Sequence, residues 1–489
     1  MMALIPSLTQ DLGGLGPADW RGGAPLLAVT AGILLALLAE VLPAFRPARG
    51  AAFVASLGAA LFLELQLAFE PVVEPIFQGA FAADRASSLW GLLFVFSGLL
   101  AWLYGQRYYK AERAFTAEHD LLMLSSVLGM MVMAGACDLL TFFVGLELLS
   151  IPLYALAGFQ RARNRSVEAG LRYFVLGAFA AGLFLYGASL IYAATGTLSL
   201  EGLRATPPTG SGLGILGVAL MASSLFFKVS VFPFHFWVPD VYQGAPTPVT
   251  TFMSTGTKAA GFAFLLKVAF LFPESAWTSL AAISLITMAI GNLGALVQSD
   301  LKRMLGYSAV AHAGTLLLVV TSGLVGDPDP EGPLRAALAY MAAYVFTGAG
   351  AFGLIAVLEG DGEHFTRLDS LRGLGQRRPV LAGALSVFML SLGGFPATGG
   401  FFGKYHVFAS TLRADLVVVS VIGVLLSVIA LGYYLNVVLT MWMKPEPEGQ
   451  APPTARRPAA SFATGFCLAL VLALGLFPGW FVERFFQGF

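Results

Sequence analysis

Six ionisable residues, Glu147, Arg172, Lys228, Lys258, Lys267 and Lys404, fall inside or beside long apolar stretches. A charge at the bilayer centre costs roughly 2.5–3.5 kcal/mol even on lenient insertion scales, so such residues face a bundle interior or a hydrated path. The chemistry open to them is proton transfer. Burial disfavours the charged form of a lysine and a nearby carboxylate favours it, so a buried lysine with a movable acidic partner gains and loses a proton near neutral pH. Glu147 is the acid placed mid-span, in DLLTFFVGLELLSIPLYALAGF from Asp138. Glu147, Lys228, Lys258 and Lys404 are read as proton carriers, against the plainer reading of an ion pair that fixes helix packing. Arg172 follows Glu168 by one turn and has two readings, a helix-end ion pair or a part in proton entry. Lys267 lies near the end of its span, where it can snorkel to the interface. His312, in SAVAHAG from Ser308, and His235, just after a proline, are each read as a proton relay or as hydrogen-bonded packing.

These residues must be held by membrane-spanning helices. Of 489 residues, 57% are apolar and 11% charged, against roughly 25% charged in ordinary soluble domains, so lipid replaces the missing polar surface. The 28 basic and 28 acidic residues leave no net field to attract nucleic acid. Two cysteines, Cys137 and Cys467, supply neither a disulfide framework nor an iron–sulfur ligand set, and electron transfer by this chain is not expected.

A helical span needs about 20 mainly apolar residues, and fourteen stretches qualify: 24–42, 51–69, 86–105, 118–135, 138–159, 167–194, 212–237, 244–271, 276–298, 301–323, 334–358, 379–408, 413–442 and 459–482. Runs this long exclude a β-barrel. No basic region precedes the first span, so a cleaved signal peptide is not expected. Loops after odd-numbered spans carry most of the Lys and Arg, among them Arg46, Arg107, Lys110, Arg113, Arg161, Lys302, Arg303, Arg372, Arg456 and Arg457. The positive-inside rule then puts both termini on the periplasmic side.

Two spans carry breaks. Pro233 follows Lys228 in FKVSVFPFHFWVPD, and Gly393, Gly394, Pro396, Gly399 and Gly400 precede Lys404 in SLGGFPATGGFFGKYHVF. Interior proline removes a helix hydrogen bond, and irregular backbone at membrane depth survives only where protein covers it or it lines a wet cavity. The shared Phe-Pro at 232–233 and 395–396 predicts two inverted five-span repeats, spans 4–8 and 9–13, with a transport site between them. The organisation expected is an N-terminal three-span segment (1–117), a first repeat (118–271), a second (276–442), and a connector with the last span (443–489). The eighth span, with Pro248 and Gly256 near Lys258, is a further candidate for distortion. Two motifs are set aside. Gly212-Leu-Gly214-Ile-Leu-Gly217 matches a dinucleotide fingerprint but opens a membrane helix without the βαβ context. Asp327 to Gly332 resembles the start of a calcium loop whose closing glutamate would be Leu338.

The strings HDLLMLSSVLGMMVMAGACDLLTFFVGLELLSIPLYALAGF from His119, SVEAGLRYFVLGAFAAGLFLYG from Ser166, PFHFWVPDVYQGAPTPVTTFMSTGTKAAGF from Pro233 and DLKRMLGYSAVAHAG from Asp300, with the Gly-Pro string before Lys404, closely resemble subunit N of bacterial NADH:quinone oxidoreductase, respiratory complex I. That family is one of three antiporter-like membrane subunits related to multisubunit cation/proton antiporters. The resemblance implies that Glu147, Lys228, Lys258 and Lys404 are the family's intramembrane glutamate and lysines, and that His312 is a histidine of its tenth-span motif. Arg172 stands where the family pattern has a lysine, and arginine hardly deprotonates. The implied function is proton translocation driven by quinone reduction elsewhere, with a multisubunit cation/proton antiporter subunit or a passive structural subunit as rivals. No cofactor is expected on this chain; NADH, FMN, iron–sulfur clusters and quinone belong to other subunits. The implied partners are a neighbouring antiporter-like subunit, small membrane subunits and lipid, in the bacterial inner membrane.

Overall fold

The computed structural model describes residues 15–108, 117–359, 366–446 and 458–486. Of the charges counted above, Lys110, Arg113, Arg456 and Arg457 lie outside the described residues, as does most of the 443–457 connector. Among the described residues the chain is helical, with isolated bridges and no strand. Where no water can satisfy a peptide group, a helix pairs every N–H and C=O within its own segment. Eleven of these helices are each long and apolar enough to cross a bilayer.

The helices that matter here are α1 (Pro17–Val41), α2 (Arg49–Phe69), α3 (Arg85–Tyr108), α4 (Ala117–Gly135), α5 (Leu139–Ala157), α6 (Asn164–Thr195), α7 (Gly212–Val229), α8 (Trp237–Gly244), α9 (Thr247–Phe252, a π turn Met253–Thr257, then Lys258–Lys267), α10 (Trp277–Leu296), α11 (Leu301–Val325), α12 (Gly332–Leu358), α13 (Pro379–Gly393), α14 (Gly399–Arg413), α15 (Val417–Met443) and α16 (Pro458–Leu476). Helices α9, α11 and α12 are buried along most of their length, whereas α1, α6 and α15 present exposed Leu, Val, Phe and Tyr. The first group is therefore the centre, and the second lies at the outer surface.

Two runs of helices, α4 to α9 and α10 to α15, share the same local devices. Helix α5 begins at Asp138, whose carboxylate accepts the Leu140 and Thr141 N–H at 2.8 and 2.7 Å, and α11 begins at Asp300, which accepts the Arg303 N–H at 2.9 Å. Each aspartate is an N-cap that satisfies orphan donors. Each also sits in a one-residue bridge to a distant segment, Asp138 to Ser199 and Asp300 to Arg367. A Cβ on Gly129 would lie 2.3 Å from the Leu149 nitrogen, and one on Gly291 2.4 Å from the Ala311 nitrogen. The first two helices of each unit thus touch backbone to backbone at the same offset.

The breaks are also matched. Helix α7 ends on Ser230 in the left-handed region (φ 68°), with Val231 N–H donating to Phe226 O at 3.1 Å; α13 ends on Gly394 (φ 85°), with Phe395 N–H donating to Leu390 O at 2.9 Å. Both are the glycine-type cap that satisfies final carbonyls before the chain turns away. The Phe-Pro pair follows in each case, and α8 and α14 then resume. The eighth span is distorted by the π turn directly before Lys258 rather than by a proline break.

At the end opposite the basic loops, the acidic turn after α11 is an ion-pair node. Asp327 accepts from Arg413 Nε and Nη2 at 3.1 Å each, from Ser410 Oγ at 2.9 Å and from the Asp329 N–H at 3.1 Å, and Asp329 pairs with Arg335. Burial works against ionisation of Asp327, but the bonds from Arg413, the Asp329 backbone and Ser410 outweigh it and hold its carboxyl below the usual carboxylate range. A lowered folded pKa contributes stability above the unfolded value, about 3.9, and that stability is lost as pH falls through the folded value. Asp327→Asn is therefore expected to lower the thermal midpoint of the detergent-solubilised protein near pH 6, the gap from wild type closing as the medium is acidified below about pH 3–4. A gap that stays constant on acidification contradicts this.

Candidate functional site

Lys228 is the penultimate residue of α7, where the helix dipole favours a cation, and the break turns it inward to 6% exposure. Its Nζ donates to Ser150 Oγ on α5 at 2.6 Å, and the Tyr173 ring lies 5.9 Å away. Trp237, the first residue of α8, stacks on Tyr173 at 4.6 Å and donates Nε1–H to Phe227 O at 3.2 Å, so the resumed half of the broken span covers the lysine. Glu147 stands one turn before Ser150 on the same helix. Its charge and that of Lys228 act on one another, yet among the described residues no ion pair within 4.0 Å joins them. The structure puts Ser150 between them as the hydrogen-bonding partner and leaves Glu147 Oε1 buried without one.

Lys258 follows the π turn of α9 and is 2% exposed. Its Nζ donates to the Ala309 carbonyl of α11 and lies 5.5 Å from the Tyr344 ring. His312, one turn along α11, has Nδ1 2.5 Å from Tyr340 OH and Nε2 3.1 Å from Tyr434 OH, and its ring packs on Tyr344 at 4.9 Å. Tyr434 OH is in turn 2.5 Å from Ser308 Oγ. A narrow cavity, about the size of a water molecule, opens between His312, Tyr340, Tyr344, Thr347, Ser391 and Lys404. Lys404 Nζ donates to the Gly393 carbonyl at 2.9 Å. Both break-side lysines therefore place an ammonium where a helix stops: Lys228 from within the stopping helix α7, and Lys404 from α14 back onto the end of α13.

Lys258, Tyr344, His312, Tyr340 and Lys404 form a buried row through α9, α11, α12 and α14, joined by ring contacts at 5.5 and 4.9 Å, by the His312–Tyr340 hydrogen bond and by the shared cavity. Lys228 joins it through packing, its Cγ 3.8 Å from where a Cβ on Gly261, one turn past Lys258, would sit. A row of amines, imidazole and phenols in apolar surroundings can pass protons in single steps, because each group offers both a site to receive one and a site to give one.

The remaining candidates lie off this row. Arg172 is half exposed, bonded to Glu168 and Asp240 at 2.6 Å each, with Arg303 on the same Asp240; it is a surface node joining α6, α8 and α11. Lys267, at the end of α9, donates to the Ala136 carbonyl at 3.4 Å. His235 is half-buried in the break between α7 and α8, its Nδ1 without a hydrogen bond.

Sequence reasoning did not find Tyr340, Tyr344, Tyr434, Ser150, Thr347 or Ser391, because tyrosines and hydroxyls in a buried helix read as packing. It also passed over two buried acids. Glu64 on α2 is 6% exposed, its carboxylate filling the space above Gly91, and Glu359 follows the last residue of α12 at 2%. A carboxylate inside or closing an apolar run is the signal that marks both.

The match to a family model for the membrane part of NADH:quinone oxidoreductase and Mrp antiporter subunits covers residues 136–430. NADH-quinone oxidoreductase subunit N of Salinibacter ruber is 40% identical over 498 residues, with 98% of this chain and 96% of that one covered. A subunit N from Solibacter usitatus is 39% identical over 442 residues, 88% of each chain. A chain of respiratory complex I from Thermus thermophilus superposes with TM-score 0.80 at 37% identity, covering 94% of this chain and 99% of that one. A chain of the Mrp complex from Dietzia superposes at 0.82 with 22% identity over 94% and 96%, a likeness of fold. With the family model matching residues 136–430 and these relatives covering most of its length, the chain belongs to the antiporter-like membrane subunits of NADH:quinone oxidoreductase, in the subunit N family.

Proposed function

We propose that this chain carries protons across the bacterial inner membrane, driven by quinone reduction in the complex of which it is a subunit. The observation that supports this most is the buried row from Lys258 through His312 to Lys404, with Lys228 packed beside it. Protons enter from the side of the basic loops, load Lys228 and Lys258, and leave through Lys404. Glu147 acts as the switch on Lys228. While its carboxylate is near, the ammonium is stabilised, and when it moves away the proton is driven on. Ser150 holds the amine in place through both states. Arg172 organises the surface cluster without carrying protons, since guanidinium stays charged, and Lys267 and His235 stand outside the central row. NADH, FMN, the iron–sulfur clusters and quinone are held by other subunits, and neighbouring membrane subunits are the partners. The units 118–271 and 276–442 work as inverted halves around the row, and both termini lie on the periplasmic side.

The test is Glu147→Gln in the whole complex reconstituted into sodium-free proteoliposomes. NADH-driven proton translocation is expected to fall severalfold with assembly intact, because glutamine keeps the shape and loses the charge. Wild-type translocation in that variant contradicts the scheme, and translocation that requires sodium favours cation/proton antiport instead.

A further inference from the structure

A second polar line runs from the basic end of the molecule to Lys258, and the break at Pro233 has no part in it. Glu359 follows α12 and is buried, with Thr247 Oγ1 donating to its Oε1 at 2.7 Å and Lys302 Nζ 3.9 Å away. Lys302 also donates to the Ala245 carbonyl at 2.8 Å. From Thr247, the first residue of α9, the hydroxyls of Thr251, Ser254 and Thr255 follow at helical spacing, all of them fully buried, and Lys258 comes next. The stripe spans about 16 Å at 1.5 Å per residue.

Helix α12 faces this stripe in antiparallel register. Glu359 meets Thr247, Gly348 comes within 3.4 Å of Thr255 through the place its Cβ would take, and Tyr344 lies over Lys258. Beyond Thr247, whose hydroxyl donates to Glu359, each stripe hydroxyl gives its hydrogen to a backbone carbonyl one turn back, Thr251 to Thr247 O at 2.9 Å, Ser254 to Thr251 O at 3.0 Å and Thr255 to Thr251 O at 2.9 Å. Its oxygen lone pairs remain to accept. Packing alone does not ask for this. A buried ion pair is commonly neutral or worse for stability than apolar residues of the same volume, and the row of hydroxyls sits between two helices that small apolar residues would join equally well. The π turn lies at the inner end of the line, next to Lys258, and such turns recur at functional sites.

We propose that Glu359 is a proton-uptake residue, taking a proton from the side of the basic loops and passing it along Thr247, Thr251 and Ser254 to Lys258. The step balances: the carboxylate binds a proton from water, the neutral Lys258 amine receives one at the far end of the relay, and the carboxylate is restored beside Lys302. The inference rests on the proton-carrying role of Lys258 given above, and it adds a specific entry to it.

The experiment uses the whole complex in proteoliposomes, with NADH-driven proton uptake as readout and NADH oxidation by an artificial acceptor as the check on the redox part. Glu359→Gln and Thr251→Val are each expected to lower proton uptake by about tenfold, less than the roughly 10²–10⁴-fold that a placed proton-transfer group supplies in catalysis, with artificial-acceptor activity unchanged. The double variant Glu359→Gln/Lys302→Gln, which removes the pair and leaves no unbalanced charge, is expected to stay low. Recovery of pumping in the double variant would show that the pair only fixes packing and would overturn the proposal. Wild-type pumping by Glu359→Gln and Thr251→Val alongside a defective Lys258→Met would overturn it while leaving the role of Lys258 standing. Wild-type pumping by Lys258→Met as well would remove the reading beneath it. If Glu359→Gln does not assemble, Thr251→Val decides by the same two outcomes.

Discussion

Lys258→Met is expected to reduce NADH-driven proton translocation by about tenfold or more, towards the roughly 10²–10⁴-fold a positioned acid–base group contributes, in a complex that assembles normally. Methionine keeps an unbranched apolar stem of similar length, so the packing around α9 survives. What is lost is the amine and its bond to the Ala309 carbonyl. A typical hydrogen bond contributes about 0.5–1.5 kcal/mol net, and the variant no longer buries an ammonium at 2% exposure, so the stability change is small while the transport change is large. Lys258→Arg separates charge from proton transfer. It retains the positive charge near Tyr344 but hardly deprotonates, so it is expected to be as defective as methionine. Pumping restored by arginine would mean that Lys258 acts only as a fixed charge. Proton uptake by proteoliposomes, measured with subunit content, checks both.

Lys404→Met carries the second large effect. Lys404 closes the row at the cavity shared with His312, and its Nζ rests on the Gly393 carbonyl where α13 stops. Without the amine the last acceptor before the opposite side is gone, and translocation is expected to fall by about tenfold, like that of Lys258→Met. Because the two lysines serve one path, their effects must not add: residues acting as a unit show strongly non-additive losses. The double variant Lys258→Met/Lys404→Met is expected to be no worse than the poorer single variant. A double variant whose loss equals the product of the single losses contradicts a single row. The same proteoliposome measurement on the four proteins of the cycle settles the comparison.

The large features of the fold were legible because the membrane leaves few alternatives. Apolar runs of span length have to be helices, and a Phe-Pro pair after a lysine or a Gly-Gly has to stop one, so α7 and α13 end close to where the residues say they should. The caps Asp138 and Asp300 at the starts of α5 and α11 emerged only in the structure. The three central lysines stood out because their charge is costly in apolar surroundings. What the letters hid was partnership across helices. Ser150 is a weak signal three residues after Glu147, yet it takes the Lys228 hydrogen bond. Tyr340, Tyr344 and Tyr434 sit on two helices separated by nearly a hundred residues and meet only around His312. Lys302 read as one more loop charge beside Arg303, and only the fold brings it to Glu359. Arg172 shows the reverse case, where a charge that looked intramembrane reaches a surface cluster with Asp240 and Arg303.

The most direct measurement is the number of protons moved per pair of electrons by the intact complex carrying Lys258→Met, compared with wild type in the same vesicles. If the central row conducts, whatever turnover remains in the variant moves fewer protons per electron pair. An assembled variant with both the wild-type turnover and the wild-type ratio would show that protons do not travel through this chain's lysines.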